Sequence, residues 1–263
     1  PEHYDLAVIG SDEVFNCCQA CAWGYTPQLF GRIPQADRVI SYAASFGHTT
    51  YEEIYAQGIG GEIGAMLKTM EALSVRDANS YAIVERLTGI TPEVHLDPVL
   101  VYGYSEEIES FQLPCEEAYM VVYTYAGRIK SKEEIRRITA FARNKGLKLY
   151  SIYSAYPWCD KAIAPATPFE VLAWFKGARY VVTDTFHGTI FSVITHRPFC
   201  SLVRENNRQK MSYLLQSLGL ESRGGSDIGR ILDTPVDYDA VEEILDKERK
   251  RARAYLRVNL EKI

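Results

Sequence analysis

Apolar residues in this chain fall mostly in short unbroken runs rather than in strict alternation. The runs are YDLAVIG (4–10), RVISYAASF (38–46), ALSVRD (72–77), EVHLD (93–97), YMVVYTY (119–125), LKLYSIY (147–153), RYVVTD (179–184) and FCSLV (199–203). Runs of this length and continuity predict strands buried on both faces. Between them the apolar spacing switches to a helical period over 51–72, 78–88, 131–145, 168–176, 187–196 and 207–218. Strand and helix in alternation predict an α/β fold with parallel sheets. The stretch 102–119, acidic, proline-containing and poor in aliphatic residues, reads as a seam. It divides the chain into α/β units at 1–108 and 109–238. A long helix follows over 239–263, with Val241, Ile244, Leu245, Ala252, Tyr255, Leu256 and Leu260 near one stripe. Its other face carries Lys247, Arg249, Lys250, Arg251 and Arg253. That face reads as solvated, with contact to a membrane surface or a partner as the alternative.

Composition narrows the partners. A net charge of −5 over 263 residues, with cations scattered until the last helix, leaves no broad basic face for a phosphodiester backbone, so no nucleic-acid partner is expected. No apolar stretch has the length of a membrane span and no secretory signal is recognisable, which predicts a cytoplasmic protein. Cys17, Cys18, Cys21, Cys115, Cys159 and Cys200 are expected to be reduced thiols. The cluster NCCQAC lacks the second ligand pair of a zinc site, and no metal is expected there. The sequence enters a strand almost at once after Pro1, which predicts a fragment or processed product.

In open parallel sheets, ligands bind at the carboxyl ends of the strands. The polar residues there include Ser11 and Asp12, then Ser45 and His48, then Arg76 and Asp77, then Thr185 and His187, and finally Arg204 and Glu205. TDTFHGT (183–189) reads as a strand-to-helix turn with Asp184 or Thr185 as the cap. The amide groups of such a helix start, with Gly188 permitting close approach, suit an anion. His187 in the first turn would then be a general acid beside that anion, or a histidine that only stabilises the turn; the pattern leaves both readings open. A forked guanidinium at Arg76 or Arg204 suits a carboxylate or phosphate. The alternative for each is a pairing with its neighbour, Asp77 or Glu205. Lys210 adds charge at the next helix. Asp12 could orient a sugar hydroxyl or act as a base, or it could merely cap a turn. His95 reads as a packed core histidine, and Asp97–Pro98 as a strand-terminating turn.

The segments DLAVIGSDEVFN, SYAASFG, LSVRDANSYAIVERLTG, HLDPVLVY and ARYVVTDTFHGTIFSVITHRPF, in that order, resemble the polysaccharide pyruvyl transferase family across about 200 of the 263 residues. Phe15 stands where that family commonly has Trp, Asp77 where it has Glu, and Thr185 where it has Ser. The Gly/Asn-rich first strand-loop-helix of such proteins has no counterpart here, so the first domain is expected to be incomplete in this chain. The resemblance implies two Rossmann-like domains in a GT-B-like arrangement, with an acceptor side at 1–108 and a donor side at 109–238. It implies transfer of pyruvate from phosphoenolpyruvate to a sugar of a cell-surface or exopolysaccharide precursor as a cyclic ketal, with no cofactor. The expected partners are phosphoenolpyruvate and a sugar or lipid-linked oligosaccharide, with the enzyme at or near the inner face of the membrane. By resemblance His187 is the acid, Asp12 orients or deprotonates the acceptor, and Arg76 and Arg204 hold the donor's anions. Gly188 and Thr189 lend backbone amides, and Ser45 and Lys210 complete the set. The rivals are a nucleotide-sugar-dependent GT-B glycosyltransferase and a non-catalytic sugar-binding module.

Overall fold

The computed structural model describes residues 2–20 and 25–261. The chain forms two compact units, Pro1–Tyr102 with Glu243–Ile263, and Gly103–Glu242. The division comes at Gly103, and the C-terminal helix is shared rather than separate. It begins in the second unit and ends in the first.

The first unit contains β1 (Tyr4–Ile9), β2 (Ala36–Ser41), α1 (Tyr51–Ala56), α2 (Gly60–Leu67), β3 (Ser74–Val75), α3 (Ala78–Thr88), β4 (Glu93–Val94) and α4 (Pro98–Tyr102). β1 pairs with β2 and β3 with β4, all parallel, and isolated parallel bridges Ile40–Ala72 and Ala44–Val75 join the two pairs. β2 stops at Ser41, short of the predicted run, because Ala43 turns to φ 47°. Its N–H then donates to Ser74 Oγ instead of to a sheet partner. The helix expected over 51–72 is two helices. Gly58 at φ 69° closes the first, a left-handed conformation that favours glycine. Asp97 follows the end of β4, where the expected turn lies. It begins α4, accepting from Val99 N–H at 3.0 Å.

The second unit contains α5 (Ser105–Ser110), β5 (Tyr119–Tyr123), α6 (Lys132–Asn144), β6 (Lys148–Ile152), β7 (Lys161–Ile163), α7 (Pro168–Gly177), β8 (Tyr180–Thr183), α8 (Phe186–Ile194), β9 (Phe199–Ser201), α9 (Arg208–Ser217) and α10 (Ile228–Asp233). Its sheet is parallel throughout, in the order β7-β6-β5-β8-β9. β5 and β8 are central and nearly all buried, which is what their unbroken apolar runs require. β7 escapes sequence reading because KAI is too short to stand out and two of its three residues are exposed.

The last helix, α11 (Tyr238–Leu260), uses most of the predicted stripe. Ala252 and Tyr255 are buried against Ile40, Tyr42 and Ala43. Tyr255 Oη donates to Ser41 O at 2.7 Å and Arg38 donates to Asn259 O at 2.7 Å, which fixes the helix to β2. Leu260, expected on the stripe, is instead about half exposed.

Candidate active site

At the carboxyl edge of the first sheet, charges are matched and closed. Arg76, only 5% exposed, donates to Asp97 Oδ2 at 2.8 Å and to Asp12 Oδ1 at 3.2 Å. Ser11 Oγ donates to Ala43 O at 3.0 Å and lies 3.4 Å from the same Asp97 oxygen. Arg76 is therefore not presented as an open fork for a donor anion, nor is it paired with Asp77. Its partners come from neighbouring strand ends, because successive side chains on an extended chain point to opposite sides. Asp77 caps α3 through Ser80 N–H at 2.8 Å and accepts from Ser45 Oγ at 2.6 Å. Ser45 also receives Gly47 N–H at 2.9 Å and is fully buried, so its hydroxyl holds the turn together rather than facing a ligand. Asp12 is the outward group of this edge. Its side chain is 67% exposed on a backbone at φ 59°, an uncommon conformation for a residue with a Cβ. His48 is exposed, with Nδ1 3.3 Å from Asn16 Nδ2.

His95 is a core residue, 1% exposed, with Nδ1 2.8 Å from Ser74 Oγ and its ring clustered with those of Tyr42 and Tyr255. Burial, aided by Arg251, pushes its pKa down to about 4. Cys17 and Cys18 have their sulfurs 3.9 Å apart, and burial with the neighbouring thiol pushes Cys17 up to about 12. Cys21 lies outside the described residues. The described cysteines are free thiols, and among the described residues no group of three or more His, Cys, Asp or Glu could hold a metal.

The carboxyl edge of the second sheet is built differently. Thr185, not Asp184, caps α8, its Oγ1 accepting from Gly188 N–H at 2.9 Å. Thr189 N–H donates to Thr185 O at 3.2 Å. Both amides expected to face an anion are thus spent inside the helix start, since a threonine cap takes the third amide and the first helical turn takes the fourth. Thr189 Oγ1 is 2.6 Å from Ser201 Oγ and buried. Gly188 is required for close approach, but to the protein itself. A Cβ there would meet Thr183 Oγ1 and come within 2.7 Å of Thr185 Oγ1 and of Tyr123 Cδ1. That contact seats α8 on β5 and β8 and fixes His187, half-buried in the first turn beside Phe186 and Phe191.

Asp184 is fully buried between β8 and α8, and among the described residues neither carboxylate oxygen has a hydrogen-bond partner. Arg204 Nε lies 3.6 Å away and Arg128 Nη1 3.9 Å away. Burial raises the Asp184 pKa against the pull of Arg128, Arg204 and the Tyr125 amide. Arg204 is not paired with Glu205, which binds Arg208 at 2.7 Å. Instead it forks onto Glu134 of α6, Nη1 to Oε1 at 2.8 Å and Nη2 to Oε2 at 3.0 Å. Burial works to lower the Arg204 pKa, but Glu134 and Asp184 raise it above the ordinary value. Asn207 locks the corner, donating to Asp184 O at 2.7 Å and accepting from Arg204 N–H at 2.7 Å. Lys210 stands half-buried in the first turn of α9.

Arg128, Glu134 and Asp184 as a charge cluster escaped the sequence reading. The legible signal for Arg128 was a Gly-Arg pair in the turn that follows a buried strand, YMVVYTYAGR. Glu134 sits inside a helix and has no such signal. His187, Arg204 and Lys210 fall in the second unit, whereas Asp12, Ser45 and Arg76 fall in the first.

Parallel α/β sheets with polar residues collected at the carboxyl ends of their strands define a protein of the doubly wound α/β class. The structure is similar to UDP-GlcNAc 2-epimerase from Methanocaldococcus jannaschii in complex with UDP-GlcNAc and UDP, with TM-score 0.53 and 15% identity over 98% of this chain and 76% of that one. A second structure of UDP-GlcNAc 2-epimerase from that organism gives TM-score 0.52 and 15% identity over 85% and 70%. An α,α-trehalose-phosphate synthase (UDP-forming) from Burkholderia xenovorans gives 0.49 and 9% over 86% and 68%. At such identities the likeness concerns the fold. A search of curated protein sequences found no match. The polysaccharide pyruvyl transferase family model matches residues 3–206, and the chain belongs to that family. The protein is accordingly a transferase, and membership implies a sugar acceptor. Among the described residues, no helix is long and apolar enough to cross a membrane.

Proposed function

We propose that this transferase moves pyruvate from phosphoenolpyruvate to two hydroxyls of one sugar in a cell-surface polysaccharide precursor, forming a cyclic ketal. The observation that carries the reading is the carboxyl edge of the second sheet. There, His187 is fixed in the first turn of α8, and two guanidinium groups converge on the buried Asp184 at the end of the same strand, β8.

In this reading the His187 imidazolium gives its proton to the methylene carbon of phosphoenolpyruvate, and positive charge develops at the carbon bearing the phosphate. A sugar hydroxyl adds there, losing a proton to a base. Phosphate leaves with the C–O bonding pair, and the second hydroxyl adds to close the ketal. One hydroxyl proton restores His187 and the other leaves with phosphate, so the sum is phosphoenolpyruvate and a diol giving a ketal and inorganic phosphate. Guanidinium groups stabilise the carboxylate and the departing phosphate. The cytoplasmic location and a lipid-linked acceptor at the inner membrane face belong to the same proposal, and no cofactor takes part.

Calorimetric titration of phosphoenolpyruvate into the full chain, beside His187→Ala and Arg204→Ala, tests this without knowledge of the acceptor. Saturable binding to the wild-type chain is the expected result. Absence of binding to folded protein, with UDP-GlcNAc binding in its place, would overturn it in favour of a nucleotide-sugar transferase.

A further inference from the structure

The geometry points to Arg128 as the group that takes an oxyanion of the donor at the second sheet's edge, an inference that rests on the phosphoenolpyruvate reading above. Arg128 follows β5 in a turn closed by its own N–H to Tyr125 O at 3.2 Å, with Gly127 at φ 70°. Its guanidinium carbon lies 4.5 Å from the centroid of the Tyr125 ring. Contact with an aromatic face attracts the guanidinium without using any of its N–H groups in a hydrogen bond to an oxygen acceptor. Asp184, fully buried and without a hydrogen-bond partner on either oxygen among the described residues, draws Arg128 from 3.9 Å but does not bind it in hydrogen-bonding geometry. Among the described residues the Arg128 guanidinium has no hydrogen-bond acceptor, and its side chain is 32% exposed.

Arg204 is the contrast. Both its terminal nitrogens are occupied by Glu134, so an incoming anion would have to displace a bidentate carboxylate. Arg128 need displace nothing except water. It also stands at the correct edge. β5 and β8 are adjacent parallel strands with Tyr123 opposite Thr183, so Arg128, five residues past the first, and His187, four past the second, both follow the same end of the sheet. The Arg128 ligand is a phosphate or carboxylate group on a small molecule. Tyr125 is a positioning residue, since it acts through the guanidinium it carries.

The test titrates phosphoenolpyruvate, inorganic phosphate and pyruvate separately into the wild-type chain, Arg128→Ala, Arg128→Lys, Tyr125→Ala and Tyr125→Phe, with the urea midpoint of each variant recorded. Loss of a charge-assisted pair predicts roughly 10- to 150-fold weaker phosphoenolpyruvate binding in Arg128→Ala at an unchanged midpoint. Arg128→Lys recovers only part of it, because an ammonium cannot fork. Tyr125→Phe binds as wild type, while Tyr125→Ala weakens binding. Whichever of phosphate and pyruvate loses affinity in Arg128→Ala identifies the group held. Undiminished phosphoenolpyruvate binding in Arg128→Ala would overturn the assignment. If the wild type binds phosphate through Arg128 but not phosphoenolpyruvate, the subsite stands and the donor reading falls. If it binds none of the three, both fall.

Discussion

The two sheets end in unlike ways. At the first, the Arg76 guanidinium is buried and bonded to Asp97 and Asp12, with Ser11 close by. At the second, a buried carboxylate attracts two guanidinium groups without bonding either, and one of those, on Arg128, is open to solvent. A matched buried network fixes a loop and resists change, whereas an unmatched one holds charge ready for something that arrives. The same residue types at equivalent places in two parallel sheets thus serve architecture in one unit and, on the proposed reading, chemistry in the other.

The comparison breaks most readily at the two histidines and the two closed or open arginines. His187→Ala should lower phosphate release from phosphoenolpyruvate in the presence of the sugar acceptor by about 10²–10⁴-fold, with an unchanged melting temperature. A loss of only a few fold would remove the acid role. Arg76→Ala should act on stability instead, by about 3–5 kcal/mol, since it strands the buried Asp97 carboxylate. Urea unfolding measures this, and a change below about 1 kcal/mol would mean the first edge is no more closed than the second. Gly188→Ala should cost about 1–3 kcal/mol by forcing α8 away from Thr183 and Tyr123. A thermal melt together with the His187→Ala assay separates that displacement from loss of the histidine itself. The smallest change expected is Thr185→Ala, about 1 kcal/mol from the lost cap on α8.

The buried histidine of the first unit, His95, gives a pH signature of its own. The His95 pKa is down to about 4 in the folded chain, against an ordinary value of 6.5. Between those values the unfolded chain holds the extra proton, so this stabilisation is present above pH 6.5 and is lost as pH falls towards 4. In urea unfolding across that window, His95→Gln should flatten the acid slope. An unchanged slope in His95→Gln would assign it to other groups.

Much of this was legible before folding. Unbroken runs such as YMVVY and YVVT could only be strands covered on both faces, and TDTFHG between two apolar segments could only be a turn at a strand's end. His95 in a strand pattern was correctly a core residue. Partnerships were not legible. Arg204 lies next to Glu205 in sequence yet binds Glu134, seventy positions away, and Arg76 passes over Asp77 for Asp97 and Asp12. The amides of Gly188 and Thr189 were assigned outward but turn inward onto Thr185. Local pattern fixes where the chain must be extended or helical, because burial and backbone hydrogen bonding act residue by residue. Which charges meet is decided by strands brought side by side from distant parts of the chain. The tertiary structure alone therefore selected Arg76 for closure and left Arg128 open.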